Sequence, residues 1–272
     1  MTYDLLITDS HVMTQSGMVE KNLVIEDGKI KLITNDSPDC DKKINGSGLV
    51  SIPGLIDTHV HYGVYSPIDQ AAISESHAAA IGGVTTMMRM FRLKGSYKES
   101  LKKHLLASQN SHYIDYTLHA SIFDDSQIDE MQYCIENKII SFKIYMNLGG
   151  DVGHVYMEMN PGEEKLISAE VNVTNELVEK IVKNAASLNC PVLVHAEDYQ
   201  DCACGMKTQK EKNNDGLNAW SESRSPNFEA KSIQTICQYG RKYNCKIYFV
   251  HIGSKLALDK IKEEKQKGTK IF

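Results

Sequence analysis

From Pro53-Gly54 onward, short apolar runs that read as strands alternate with amphipathic stretches that read as helices. This alternation constrains the fold more than any other feature of the chain. The strand candidates are residues 55–61, 84–90, 116–120, 139–145, 191–195 and 246–251. Their nearly continuous apolar character suits strands covered on both faces. Between them, Leu177, Val178, Ile181, Val182, Ala185 and Ala186 form one helical stripe, with Thr174 placed to cap it. Ile128, Met131 and Ile135 mark a second, and Ser254 caps a third that runs through Leu256 and Ile261 and stops at Gly268. Strand–helix–strand repetition predicts a parallel sheet with helices outside it.

Residues 1–52 have a different texture. Short strands are expected at 4–8, 12–14, 21–25 and 29–33, punctuated by Ser16-Gly17, Asp27-Gly28, Asn35-Asp36 and Asn45-Gly46. Asp27-Gly28 between Val24-Ile25 and Ile30 is a tight-hairpin signal. The chain therefore divides into a small β module, 1–52, and an α/β domain, 53–272.

Thirty Lys and Arg against 35 Asp and Glu leave a net charge of -5, the wrong sign for a nucleic-acid partner. No apolar stretch approaches the roughly 20 residues that cross a bilayer, and the N-terminus carries Asp4 and no basic region. Seven scattered cysteines are an odd set without framework spacing. Together these predict a cytoplasmic protein with reduced thiols and no membrane partner. Cys202 and Cys204 are read as loop thiols rather than a metal site.

Four of the ten histidines fall at C-terminal ends of expected strands. His59 and His61 close the first, on one face because the strand period is two. His195 closes the fifth and His251 the sixth. In a parallel β/α barrel those ends meet at one mouth, where active sites lie. Four imidazoles converging there favour a divalent metal such as zinc. In the fourth strand, Ser141-Phe142-Lys143-Ile144-Tyr145 sets a lysine inside an apolar run. A buried ammonium must be paired, neutral or chemically modified. Either a partner acid or carboxylation by carbon dioxide would meet that need.

Pro53-Gly54-Leu55-Ile56-Asp57-Thr58-His59-Val60-His61 resembles the opening signature of the amidohydrolase superfamily. Residues 141–146 resemble the carboxylated-lysine strand of its cyclic amidase branch, the hydantoinases and dihydropyrimidinases. Val194-His195-Ala196-Glu197-Asp198 and Val250-His251-Ile252-Gly253-Ser254 resemble the later histidine strands, and Ser223-Arg224-Ser225-Pro226 with Glu229 is similar to a further stretch of that branch. The resemblance implies a TIM-type (β/α)8 barrel, with about six strands in this chain, and a small N-terminal portion of a β-sandwich. It implies two divalent ions, zinc by default: His59 and His61 on one, His195 and His251 on the other, and a carbon dioxide-derived carbamate on Lys143 bridging them. Two ions roughly 3.5–4 Å apart would share a hydroxide and open a cyclic amide or ureide ring. Asp57 would support His59 from behind, and family analogy implies a homo-oligomer, a dimer or tetramer.

Three departures accompany the resemblance. The family's last ligand, an aspartate on the eighth strand, has no counterpart before Phe272, so the chain is expected to be part of a longer protein. Completion by a second polypeptide, or loss of catalysis, are the other possibilities. Dihydroorotases and allantoinases carry an arginine where this chain has Gly63. Hydantoinases often carry a tyrosine where it has Leu148, with His154 and Tyr156 of an expected loop over 149–164 as possible substitutes. Arg89, at the end of the second strand, either reads an acidic substrate group or pairs with a nearby acid. Hydantoin or dihydropyrimidine ring opening leads, against an allantoinase- or dihydroorotase-like enzyme and a non-catalytic scaffold of the same branch.

Overall fold

The computed structural model describes residues 2–272. Contacts divide the chain into two units that meet between Leu55 and Ile56. The first holds β1 (Tyr3–Thr14), β2 (Gly17–Glu26), β3 (Lys29–Thr34), β4 (Cys40–Asn45) and β5 (Val50–Ser51) in one sheet of order β3-β2-β1-β4, with β5 also on β1. The expected strands at 4–8 and 12–14 are one long β1, broken in register between Ile7 and Ser10. Asp9 supplies the bulge at φ 56°, its N–H donating to Asn22 Oδ1 at 2.9 Å. Asp27 and Gly28, at φ 52° and 68°, make the two-residue turn between β2 and β3. Leu6, Val12, Leu23 and Val24 are buried, Leu23 and Val24 on opposite faces of β2, while Ile30, Leu32 and Ile33 on β3 are exposed.

The second unit holds β6 (Leu55–Val60), α1 (Ile68–Ile81), β7 (Val84–Phe91), α2 (Tyr97–Gln109), β8 (Asp115–Ser121), α3 (Asp125–Asp129), α4 (Met131–Glu136) and β9 (Phe142–Tyr145). There follow β10 (His154–Met157), β11 (Ile167–Glu170), α5 (Asn175–Ser187), β12 (Pro191–His195), α6 (Tyr199–Glu211), α7 (Gly216–Glu222), α8 (Pro226–Tyr243), β13 (Lys246–Phe249), α9 (Lys255–Gln266) and β14 (Lys270–Ile271). Seven strands form one sheet in the order β14-β13-β12-β9-β8-β7-β6. Each strand therefore lies beside its predecessor in this curled, half-barrel sheet, and the pairings from β7 to β14 are parallel. The seventh strand, two residues of β14, goes beyond the six expected.

Strand parity sets the two faces. Phe142 and Ile144 of β9 and Val192 and Val194 of β12 pack outward with Val178, Ile181 and Ile233 of the helices in the main core. Lys143 and Leu193, paired in register, share the inner face. The α5 stripe buries Leu177, Val178, Ile181, Val182 and Ala185, and Thr174 Oγ1 accepts from Leu177 N at 3.3 Å.

Four local expectations are corrected. The stripe from Ile128 to Ile135 is two short helices, because Glu130 is recruited to cap α2: its carboxylate accepts from Ser96 Oγ at 2.7 Å and Tyr97 N at 2.6 Å. Residues 149–164 are not simply a loop, since β10 pairs antiparallel with β11. Cys202 and Cys204 lie on α6 instead of in a loop, and all seven cysteines are free. His61 and His251 lie just past β6 and β13, and His251 turns the chain at φ 40°. No helix among the described residues is long and apolar enough to cross a membrane.

Candidate active site

β6, β12 and β13 bring histidines to or just past their C-terminal ends, and β9 carries Lys143 at its second position. His59 Nε2 and His61 Nε2 are 3.2 Å apart, and His195 Nδ1 and His251 Nε2 are 3.0 Å apart. The two pairs adjoin: the rings of His59 and His251 have centroids 5.2 Å apart. Asp57 Oδ1 accepts the His59 backbone N–H at 3.0 Å, bracing the strand end behind the ring.

Lys143 lies beneath these rings, fully buried. Its Nζ has no hydrogen-bond partner, and its nearest aromatic neighbour is Tyr145, with the ring centroid at 4.6 Å. Burial, and then the Arg92 charge, bring the Lys143 ammonium down to about 7. The histidines are held neutral as well. Removal of water from their surroundings lowers His59 and His251 to about 4 and His61 to about 3, although His61 and His251 keep an exposed edge at the mouth. Lys143 adds to the effect at His59, Arg92 at His61 and His195 at His251. Burial moves His195 in the same direction against the pull of Glu197. Neutral imidazole is the form that ligates metal. Among the described residues, no group of three or more His, Cys, Asp or Glu side chains could hold a metal ion by itself.

Two clefts flank the histidines. One, of about 330 Å³, is lined by His195, Glu197, Arg224, Glu229, His251 and Ser254. The other, of about 190 Å³, is lined by His61, Tyr62, Tyr65, Glu75 and Arg92. A cleft of about 500 Å³ lies around Lys94, Asp124 and Glu176 and contains none of the four histidines. A fifth histidine, His119, is a satisfied interior group bonded to Ser141 Oγ at 2.6 Å and the Thr58 carbonyl at 3.2 Å.

No family model matches the chain. Individual relatives do. The chain is 26% identical over 281 residues to an allantoinase of Bacillus licheniformis, covering 100% of this chain and 59% of that one. It is 28% identical over 275 residues to a D-hydantoinase of Rhizobium radiobacter, covering 97% and 55%. A solved D-hydantoinase superposes with TM-score 0.81 at 23% identity, over 99% of this chain and 56% of that chain. An L-hydantoinase (dihydropyrimidinase) from Arthrobacter aurescens gives 0.80 at 20%, over 99% and 57%. These likenesses support the resemblance to the cyclic amidase branch of the amidohydrolase superfamily. It spans a little over half the length of these relatives.

At the positions where the sequence departs from the pattern it resembles, the structure gives a reason. Arg89 is wholly buried, its Nη1 2.9 Å from Glu158 Oε2 in an ion-pair contact whose angles fall short of a hydrogen bond. Its guanidinium also lies near the Tyr62 and Phe91 rings, 5.0 and 5.3 Å from their centroids. The acid is internal, and no part of the Arg89 side chain faces solvent. Gly63 sits over this pair at φ 85°; a Cβ there would lie 3.4 Å from Arg89 Nη1 and 3.5 Å from Glu158 Oε2. An arginine at position 63 would need both a strained backbone and room that the pair occupies. Leu148 packs against the main core, His154 pairs with Glu170 at 2.8 Å on the exposed hairpin, and Tyr156 lies by Tyr65 with centroids 5.9 Å apart. Sequence reasoning passed over Arg92, which lines the His61 cleft one residue past β7, and Glu158, which lies 69 positions from Arg89. No local spacing could have signalled that second pairing.

Proposed function

We propose that this chain carries the metal centre of a cyclic amidohydrolase, which hydrolyses a C–N bond in a cyclic amide or ureide. One observation carries the reading: two close imidazole pairs stand over a buried lysine that has no hydrogen-bond partner. Two nitrogens on one tetrahedral zinc, each at about 2.0–2.1 Å, sit roughly 3.3–3.4 Å apart. The pair distances of 3.2 and 3.0 Å fit a two-plus-two ligand set, His59 with His61 and His195 with His251. Two imidazoles would leave each ion short of protein ligands, which a modified Lys143 would help to supply. Addition of the Lys143 amine to carbon dioxide would form an N–C bond, release a proton and leave an anionic carbamate able to act as a ligand.

When bound, such a pair of ions supplies Lewis acidity that activates water near neutral pH and polarises a carbonyl. The chain's own groups do the rest. Asp57 braces the strand end that presents His59. Arg92 faces the substrate from the His61 cleft, the place that Arg89, closed against Glu158, does not fill. Hydantoin- or dihydropyrimidine-type rings are the leading substrates, because the position of a dihydroorotase-type arginine clamp is Gly63. Residues 1–52 form the sandwich portion and 53–272 the hydrolase portion of a cytoplasmic, homo-oligomeric enzyme.

Elemental mass spectrometry on protein purified without added metal tests the reading. Close to two equivalents of zinc per chain is expected for the wild type, falling below one in Lys143→Ala. Two equivalents retained in Lys143→Ala would overturn the bridging role, and less than one in the wild type would overturn the metal centre.

A further inference from the structure

His195 has a side-chain partner within hydrogen-bond reach of each ring nitrogen. Nδ1 is 3.0 Å from His251 Nε2, and Nε2 is 2.9 Å from Glu197 Oε2. Glu197 is itself held, since Arg224 Nη1 donates to the same Oε2 at 2.6 Å. Arg224 in turn lies over the Trp220 ring, 4.4 Å from its centroid. The four side chains come from β12, the second residue beyond it, α7 and the turn before α8. A line of contacts thus runs from the outer helices to one face of one imidazole. Glu197 and Arg224 are only partly exposed, at 15% and 20%, so the link is sheltered from water.

Resting on the metal-centre reading, we propose that Glu197, held by Arg224, is a positioning residue that fixes the tautomer and ring orientation of His195. A carboxylate only accepts, so it keeps the imidazole proton on Nε2. The Nδ1 lone pair is then directed toward His251, the side on which a ligand nitrogen is needed. Without Glu197 only the ring's own modest preference for Nε2–H remains, so the form protonated at Nδ1 becomes accessible and turns an N–H toward the centre. Arg224 keeps the carboxylate at its post: the guanidinium stacks on Trp220 and offers one N–H to Glu197, a geometry that a lysine point charge would not reproduce. The contrast with His59 supports this reading, since Asp57 contacts the His59 backbone N–H and not its ring.

The test has two arms on the whole 272-residue chain. In the first, nitrogen-15 NMR of the metal-free protein at pH 8 reads the His195 tautomer, assigned by its loss in His195→Asn. The wild type should show Nε2–H, Glu197→Gln should keep it through the amide oxygen, and Glu197→Ala should populate the Nδ1–H form. In the second, zinc titration by calorimetry should show affinity falling about 10–100-fold in Glu197→Ala. The loss should be smaller in Glu197→Gln and in Arg224→Lys. An Nδ1–H tautomer in the wild type, an unchanged tautomer in Glu197→Ala, or wild-type zinc affinity in both Glu197 variants would overturn the proposal. If Glu197→Ala does not fold, Glu197→Gln decides: tautomer kept with weaker zinc supports the role, unchanged zinc affinity overturns it. Should the wild type bind no zinc, the metal-centre reading fails, and the first arm still decides whether Glu197 sets the ring.

Discussion

Two cations lie wholly buried in the half-barrel, and they are treated in opposite ways. Arg89 of β7 has Glu158 at 2.9 Å and aromatic rings around its guanidinium. Lys143 of β9 has no hydrogen-bond partner at all. The first arrangement is how a fold accommodates a charge it cannot expose. The second leaves an amine with an unmet cost, which burial relieves only by favouring the neutral form. A chain that keeps such a group on the inner face beneath four imidazoles gains nothing in stability from it. The difference teaches how to separate architecture from chemistry among buried polar residues: the architectural one brings its own partner, and the chemical one waits for a ligand.

The comparison breaks if the two cations respond alike to mutation. The largest effect is expected at the paired site. Glu158→Ala strands the Arg89 guanidinium in the interior and should cost about 3–5 kcal/mol in urea unfolding. A cost below 1 kcal/mol would mean that Arg89 finds water or another acid, and its architectural role would fall. Lys143→Met should go the other way in metal-free protein. Removing an unsatisfied buried amine while keeping the stem should raise stability by about 1–3 kcal/mol. Zinc with bicarbonate should then stabilise the wild type and leave Lys143→Met unmoved, because only a state that binds ligand is stabilised by it. Destabilisation of the metal-free Lys143→Met protein would show that the amine is structural after all.

Sequence patterning reached most of this arrangement for reasons that can be named. The β12 bounds, the α5 stripe with its Thr174 cap and the turn at Asp27-Gly28 are local, and local chemistry determines them. The histidines were legible because strand period and strand ends place them in one direction without any long-range knowledge. Glu158 was not, since its pairing with Arg89 depends on the segment 158–159, whose N–H groups bond the carbonyls of Arg92 and Gly63. Glu130 escaped for the same reason: a hydrophobic stripe runs through it, but its carboxylate is needed at another helix. Glu197 stood in plain view within a recognised stretch, yet its contact with the far nitrogen of His195 is a matter of rotamers.

The Arg89–Glu158 pair also predicts a pH signature. Burial raises the Glu158 carboxyl to about 7 from the usual 4.5, against the pull of Arg89 and then Arg92. A carboxyl whose folded-state pKa is raised binds more protons folded than unfolded between those values. Its contribution to stability is therefore fully present below about 4.5 and is lost as pH rises through about 7. His59, His119 and His251, lowered by burial from 6.5 to about 4, also make stability depend on pH over this interval, so the quantity to measure is the stability of the wild type minus that of Glu158→Gln, which cancels them. That difference should decline steadily from pH 4.5 to 7.5; a flat difference would place Glu158 ionised throughout and make the pair a plain salt bridge.

The smallest effect is expected at Gly63, which lies over the pair. Alanine there must hold φ 85° and set its Cβ 3.4 Å from Arg89 Nη1 and from Ile68 Cδ1. The backbone strain alone is about 1–2 kcal/mol, and the contact is tight enough to press on Arg89 without expelling it. Gly63→Ala should therefore lose about that much stability in wild-type background. In a Glu158→Gln background the neighbouring group has the same shape and no charge, so the loss should be unchanged if it is steric. A loss that vanishes in the double variant would mean that Gly63 serves the ion pair electrostatically, by letting the backbone carbonyl region approach the guanidinium, and would tie the family's missing arginine at this position to the charge beneath it.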